Sequence, residues 1–278
     1  MYQYVVADAF TRTPLEGNPV AVYLDAAGLT PRLMQRIARE MNLSETTFVL
    51  PPENGGDARV RIFTPVNELP FAGHPLLGTA QVLGEERRAD RLLLETAMGA
   101  VPVDLERAGE RITRIRMRQP LPVWEPYEKA PELLAALGLP DSTLPVEVYR
   151  NGPRHVFVGL PDVAALAALR PDHRALCAFP DMAANCFAGE GRTWHTRMFS
   201  PAYGVVEDAA TGSASGPLAI HLARHALIED GTEIEITQGA WMGRPSTMYA
   251  RATREGDRVT SVEMSGSAVT VARGTLLL

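Results

Sequence analysis

The chain has 278 residues, 46% of them hydrophobic, with 33 acidic against 27 basic side chains and a formal net charge of -6. That length and apolar content suit one large packed domain or two ordinary ones and exclude a disordered chain. The acidic balance, with no run of Lys and Arg, excludes a nucleic-acid footprint, and no stretch approaches the eighteen or so apolar residues of a membrane span.

Tyr4–Phe10 reads as a strand, and a turn over Pro14–Asn18 makes Pro19–Leu24 its partner. Thr30 and Pro31 suit the N-cap and first position of a helix whose apolar face carries Leu33, Met34, Ile37 and Met41. Phe48–Leu50 and Ala58–Phe63 read as strands, and Pro75–Leu83 as a second helix. Leu92–Glu95, Val101–Leu105 and Ile112–Met117 alternate like strands of an antiparallel sheet. The proline-rich stretch Gln119–Pro126 is the best interdomain connection, and Pro131–Leu137 is a short helix ended by Gly138. This order lacks the strict strand–helix alternation of a doubly wound fold. The expected class is α+β, with an N-terminal lobe over 1–118, a linker over 119–130 and a C-terminal lobe over 131–278. The last strand is free to return to the first lobe.

There are two cysteines, Cys177 and Cys186, too few for a disulfide framework and without the flanking His pair of a zinc site. Cys177 precedes a turn at Phe179-Pro180, and Cys186 reads as part of a buried strand, where a thiol behaves as a small apolar side chain; neither is expected to be catalytic. No N-terminal stretch has the pattern of a secretory leader, so a cytoplasmic location is expected.

An internal repeat is the most informative feature. Gly17–Val22 resembles Asn151–Val158, Arg61–Pro65 resembles Arg197–Pro201, and Gly73-His74 before an apolar helix resembles Gly212-Ser213 before Ala214–His221. Pro153 against Pro19, Arg197 against Arg61 and Gly212 against Gly73 give offsets of 134, 136 and 139 residues. Three matches in the same order argue for a duplicated domain, and a period this long is no solenoid. Two similar lobes place a small-ligand site between them.

Each glycine turn precedes a helix, where unpaired N–H groups and the positive end of the dipole suit a carboxylate or phosphate. Glycine can also simply permit the turn. The spacing fits neither a dinucleotide fingerprint nor a P-loop, so no nucleotide cofactor is expected. Glu45 lies in the polar cluster Asn42–Thr47, between an amphipathic helix and an apolar strand. A carboxylate there can face a cleft, and it can equally cap or be solvated. Asp208 and His74 adjoin the glycine turns, where each can either cap a helix or meet a ligand. No Gly-x-Ser-x-Gly nucleophile turn is present. His221 and His225 stand at i, i+4 without the intervening Glu of a zinc helix, and are expected to form a helix face, so no metal is expected.

Six segments together resemble the phenazine-biosynthesis protein F family over essentially the whole chain. They are Asp8–Phe10, Gly17–Val22, Met41–Thr46, Phe63–Pro65, Phe71–Pro75 and Asp208–Ala214. The resemblance implies a diaminopimelate epimerase-like fold: two lobes, each a mixed, mostly antiparallel sheet around a central helix, with the active site between them. It implies isomerisation of trans-2,3-dihydro-3-hydroxyanthranilate to an aminoketone by proton transfer, without a cofactor. On the same ground Glu45, His74 and Asp208 are the catalytic residues, and Gly73, Gly212, Ser213 and Asn18 bind substrate. The partner is a small cyclic amino-acid-like molecule, with no nucleic acid and no membrane. A homodimer and hand-over of product to a downstream enzyme are expected. Two alternatives stand beside this: an amino-acid racemase on the same fold, whose relatives carry two cysteines facing the substrate, and a non-catalytic ligand-binding protein.

Overall fold

The computed structural model describes residues 1–256 and 258–278. The first half runs β1 (Tyr2–Ala9), β2 (Asn18–Tyr23), α1 (Pro31–Met41), β3 (Glu45–Leu50), β4 (Ala58–Phe63), β5 (Glu68–Leu69), α2 (Gly73–Arg87), β6 (Arg91–Thr96), β7 (Gly99–Ala108) and β8 (Arg111–Arg118). β9 (Val123–Pro126) ends the first half, and the second runs α3 (Ala130–Leu137), β10 (Glu147–Arg150), β11 (Arg154–Gly159), α4 (Val163–Ala168), α5 (His173–Leu176), β12 (Ala183–Glu190), β13 (Thr193–Ser200) and β14 (Val205–Asp208). It closes with α6 (Gly212–Arg224), β15 (Ile234–Gln238), β16 (Ser246–Glu255), β17 (Arg258–Gly266) and β18 (Ala268–Leu276).

The two halves share one pairing scheme. In the first, β1–β2 is antiparallel, β2–β3 parallel, β3–β4 antiparallel, β4–β6 parallel, and β6–β7–β8 antiparallel. In the second, β10–β11, β11–β12, β12–β13, β13–β15 and β15–β16–β17 repeat that order and sense. β8 pairs with β17, which joins the halves into one mixed sheet. The outermost strands cross over: β18 pairs with β1, and β9 with β10. Val123–Pro126, which reads in sequence as connection, is therefore a ladder strand. Pro120 and Pro122 precede the paired segment and Pro126 is its last residue, and its partner lies beyond an intervening helix, out of reach of local pattern.

Each half curls its sheet around one helix. All twelve residues from Gly73 to Gly84 in α2 are buried, as are all twelve from Gly212 to Ala223 in α6. A helix wrapped on every side must be apolar or small on every side. Leu76 and Leu77 are fully buried, and cutting either to Ala costs about 2–5 kcal/mol. Gly78 and Gly216 let the strands approach: a Cβ would fall 2.3 Å from Val20 Cγ1 at Gly78, and 2.3 Å from Val262 Cγ1 at Gly216. By contrast α1 is amphipathic, capped by Thr30 Oγ1 accepting from the Leu33 N–H at 3.3 Å, and ended by left-handed Asn42. Among the described residues no helix is long and apolar enough to cross a membrane.

Candidate active site

The two central helices meet end to end. A Cβ on Gly73 would lie 2.5 Å from both the Gly212 carbonyl carbon and the Ser213 nitrogen, so only glycine allows this approach. Neither helix start has a side-chain cap, so first-turn N–H groups of both are left for a ligand. Two positive dipole ends at this distance repel unless an anion lies between them. The α6 start is braced from outside. Pro217 offers no N–H to the Ser213 carbonyl one turn back, and Asn151 Nδ2 donates to that oxygen instead, at 2.9 Å. Gln119 Nε2 donates to the Gly212 carbonyl at 2.7 Å.

A narrow cavity of about 40 Å³ opens at this junction, well below the size of a typical small-molecule site. Glu45, Gly73, His74, Asp208, Gly212 and Ser213 all line it. Each stands at or beside an element end: Glu45 opens β3, His74 is second in α2, and Asp208 closes β14. Asn18, first residue of β2, sits behind the wall. Its Nδ2 lies 2.7 Å from Asp208 Oδ1, 2.9 Å from the Ala210 carbonyl and 3.2 Å from His74 Nδ1. An amide has two N–H bonds, so at most two of these contacts are hydrogen bonds at once. Asn18 thereby ties the two site residues from different halves together.

Asp208 is held on all sides. Oδ1 also accepts from Ser44 Oγ at 3.0 Å, and Oδ2 accepts from Thr211 Oγ1 at 2.8 Å. Gln238 Nε2 donates to the Asp208 carbonyl and to Thr211 Oγ1, at 2.8 and 2.9 Å, fixing the turn. Burial pushes the Asp208 carboxyl up to about 6 even though these donors pull it down. Glu45 is the opposite case. Its side chain is 12% exposed, and Oε2 has no hydrogen-bond partner. Burial, with the charge of Asp208 added, holds its carboxyl well above the ordinary range. His74 Nε2 stands 3.3 Å from Glu45 Oε2 and is likewise unpartnered, and burial lowers the imidazole to about 3, so the ring is neutral. The result is an unpartnered carboxyl of raised basicity beside a neutral imidazole and two helix starts. Such a set can bind an anion and pass a proton to or from carbon.

The duplication is broken where the chemistry sits. Phe63 opposes Thr46 in the β4–β3 pair, and Phe199 opposes Ala184 in the β13–β12 pair, so Ala183 is the counterpart of Glu45. At this pair of equivalent positions only the first half supplies a carboxyl. Cys186 is buried and Cys177 is exposed at the end of α5; neither lines the cavity, which removes the two-cysteine racemase arrangement. Cys177 follows the last, buried residue of the one-turn α5 and faces solvent. His221 and His225 are not a plain helix face. Both meet Glu147 Oε2, at 3.1 and 3.3 Å, but Arg224 Nη1 lies 2.6 Å from the same oxygen, where a metal cation would have to sit. The cluster is an ion-pair network at the C-terminal end of α6, which favours cations.

Sequence reading missed Ser44, Thr211, Gln238 and His155. Thr211 stands three residues after Asp208, a local side-chain spacing that points to it. Ser44 reaches Asp208 across 164 residues, and nothing local signals that.

Two curled half-barrels whose central helices meet end to end at a buried polar cavity define an epimerase-like class of fold. Within that class, residues 7–274 match the PhzC-PhzF model, described as phenazine biosynthesis-like protein, and the chain belongs to that family. It is 66% identical over 278 residues, the whole of both chains, to a Pseudomonas aeruginosa protein named trans-2,3-dihydro-3-hydroxyanthranilate isomerase. A solved PhzF-family phenazine biosynthesis protein from Bacillus anthracis superposes with a TM-score of 0.87 at 28% identity, covering 100% of this chain and 99% of that one. The fold alone is shared with a probable proline racemase from Agrobacterium radiobacter, with a TM-score of 0.67 at 12% identity over 100% of this chain and 93% of that one.

Proposed function

We propose that this protein is a trans-2,3-dihydro-3-hydroxyanthranilate isomerase in which Glu45 moves a proton between two ring carbons. The observation that carries the reading is the unpartnered Glu45 carboxyl, buried 3.3 Å from neutral His74 at the meeting of two helix starts. The substrate is a cyclic diene with a carboxylate on C1, an amine on C2 and a hydroxyl on C3. The helix starts take the carboxylate. Glu45 removes the C3 proton, and the electron pair spreads through the diene toward C1, whose carboxylate faces the N–H groups. The same carboxyl, now protonated, returns the proton to C1. This leaves a C3 enol, which tautomerises to the aminoketone. Electrons are conserved, so the step itself calls for no redox partner. A raised carboxyl pKa makes Glu45 a stronger base and a competent acid at one and the same site. Asp208 and His74 orient the amine and the hydroxyl.

Full-length similarity to relatives named for this activity supports the reading. We further propose that it acts in the cytoplasm as a homodimer and passes its unstable product to a downstream enzyme. The test is incubation of the purified protein with the dihydro-hydroxyanthranilate. Loss of the diene absorbance with wild type, and its persistence with Glu45→Gln, is the expected result. No turnover by folded wild type refutes the proposal.

A further inference from the structure

One polar side chain at the cavity has no part in the chemistry above. His155, in β11, is 1% exposed and lines the cavity beside Ala183, its partner in the parallel β11–β12 ladder. The equivalent pair in the first half is Val20 and Glu45. The polar group has thus moved to the neighbouring strand: the second half replaces a carboxylate with alanine, and the small Ala183 leaves space for an imidazole beside it. His155 Nε2 has no hydrogen-bond partner, a costly state for a buried polar atom unless a ligand completes it. With Glu45 Oε2 and His74 Nε2, it is one of three unpartnered buried atoms carried by residues around this one cavity.

The neighbour of its other nitrogen fixes which proton it carries. Asn185 Nδ2 lies 3.4 Å from His155 Nδ1, and its second hydrogen goes to the Ala183 carbonyl at 2.9 Å. An amide nitrogen can only donate, so Nδ1 accepts and Nε2 bears the hydrogen. Burial lowers the ring to about 3, which keeps it neutral. The cavity is therefore offered an N–H donor from the side opposite to the acid/base in the duplication.

We propose that His155 is a substrate-recognition residue whose Nε2–H donates to the C3 hydroxyl oxygen of the substrate. The choice of atom follows by elimination. The helix starts serve the carboxylate, and an N–H donor has nothing to offer an ammonium group, so the hydroxyl oxygen, whose two lone pairs leave room for a donor besides the Asp208 and His74 contacts, is the acceptor that fits. That oxygen becomes the ketone of the product, so the contact selects substrates hydroxylated at this carbon. Asn185 acts through His155, as a positioning residue. The inference rests on the isomerase reading.

The test compares two stable aromatic ligands, 3-hydroxyanthranilate and anthranilate, which differ only in the hydroxyl. Wild type is expected to bind the hydroxylated ligand roughly tenfold tighter, the size of one net hydrogen bond. His155→Leu should erase that preference while leaving anthranilate affinity within about twofold, and His155→Gln, which keeps an N–H donor, should restore part of it. If His155→Leu does not fold, His155→Gln against Asn185→Leu, which frees the tautomer, makes the same comparison. Equal losses for both ligands indicate a merely structural residue and overturn the proposal, as does a preference that survives His155→Leu. Wild type that binds neither ligand overturns the substrate assignment itself, a failure distinct from that of His155 alone.

Discussion

Replacing Gly73 with alanine tests the helix junction. The position has ordinary helical backbone, and alanine is the better helix former by up to about 1 kcal/mol, so propensity alone predicts stabilisation. The tertiary contact predicts the reverse. The new Cβ would stand 2.5 Å from the Gly212 carbonyl carbon and the Ser213 nitrogen, against 3.4 Å for an ordinary contact. Both obstructing atoms are backbone, inside a helix start pinned by Asn151 and Gln119, so no side chain can rotate away. The two helices must separate by about 3.4 − 2.5 = 0.9 Å. Overpacking of this kind costs about 1–3 kcal/mol, which at about 2–4 °C per kcal/mol lowers Tm by about 2–12 °C. The larger effect is on turnover: a displacement near 1 Å at the anion site costs about a hundredfold in kcat/KM. The control is Gly84→Ala, where the Cβ meets Leu105 Cδ1 at 2.6 Å, a mobile side-chain tip far along α2. It should lose stability and keep its rate per folded molecule. Thermal melts with steady-state kinetics on both variants decide the matter. Wild-type kcat/KM in Gly73→Ala, or a loss no larger than that of Gly84→Ala, refutes the argument that the helix junction is the site.

Glu45→Gln should lose at least about a hundredfold in kcat while still binding 3-hydroxyanthranilate, measured by turnover and calorimetry. The pH dependence of stability follows from the raised carboxyls. Folded Glu45 and Asp208 retain protons that the unfolded chain has already released, so stability falls as pH rises from the ordinary carboxylate range through their raised values. Glu45→Gln should therefore melt higher than wild type at pH 8, with the gap closing toward pH 4; a constant gap contradicts the assigned shift. The activity profile has the opposite sign, because the base must be ionised: kcat/KM should rise with pH through a value above the ordinary carboxylate range. Cys177→Ala with Cys186→Ala should retain activity, at a packing cost from the fully buried Cys186, and a folded but inactive double variant would point to thiol chemistry. Dialysis against a chelator should leave the rate unchanged, and recovery of a lost rate on adding metal would count against the mechanism.

What the sequence determined by itself was whatever repeats or acts locally. The duplication was legible from three motif matches because each is a short backbone device: a strand entry, a strand end and a glycine turn before a helix. Pro31 and Thr30 fixed the start of α1, and the apolar stretch after Gly73 marked α2, because caps and periodicity act within a few residues. Glu45, His74 and Asp208 were legible as polar residues at element ends, and their assignment to one site came from family resemblance. Tertiary structure decided the rest. The crossing of β9 and β18 into opposite halves depends on pairings between distant segments that no window contains. The partners of Asp208, with Asn18 at 190 residues and Ser44 at 164, exist only once the lobes pack. The same holds for charge and for glycine. The Glu45 carboxyl is raised by burial and by Asp208, which the sequence places 163 residues away, and Gly73 is required by the backbone of another helix, not by its own conformation. Local physics chose the elements; the contact between two buried helix ends made them a site.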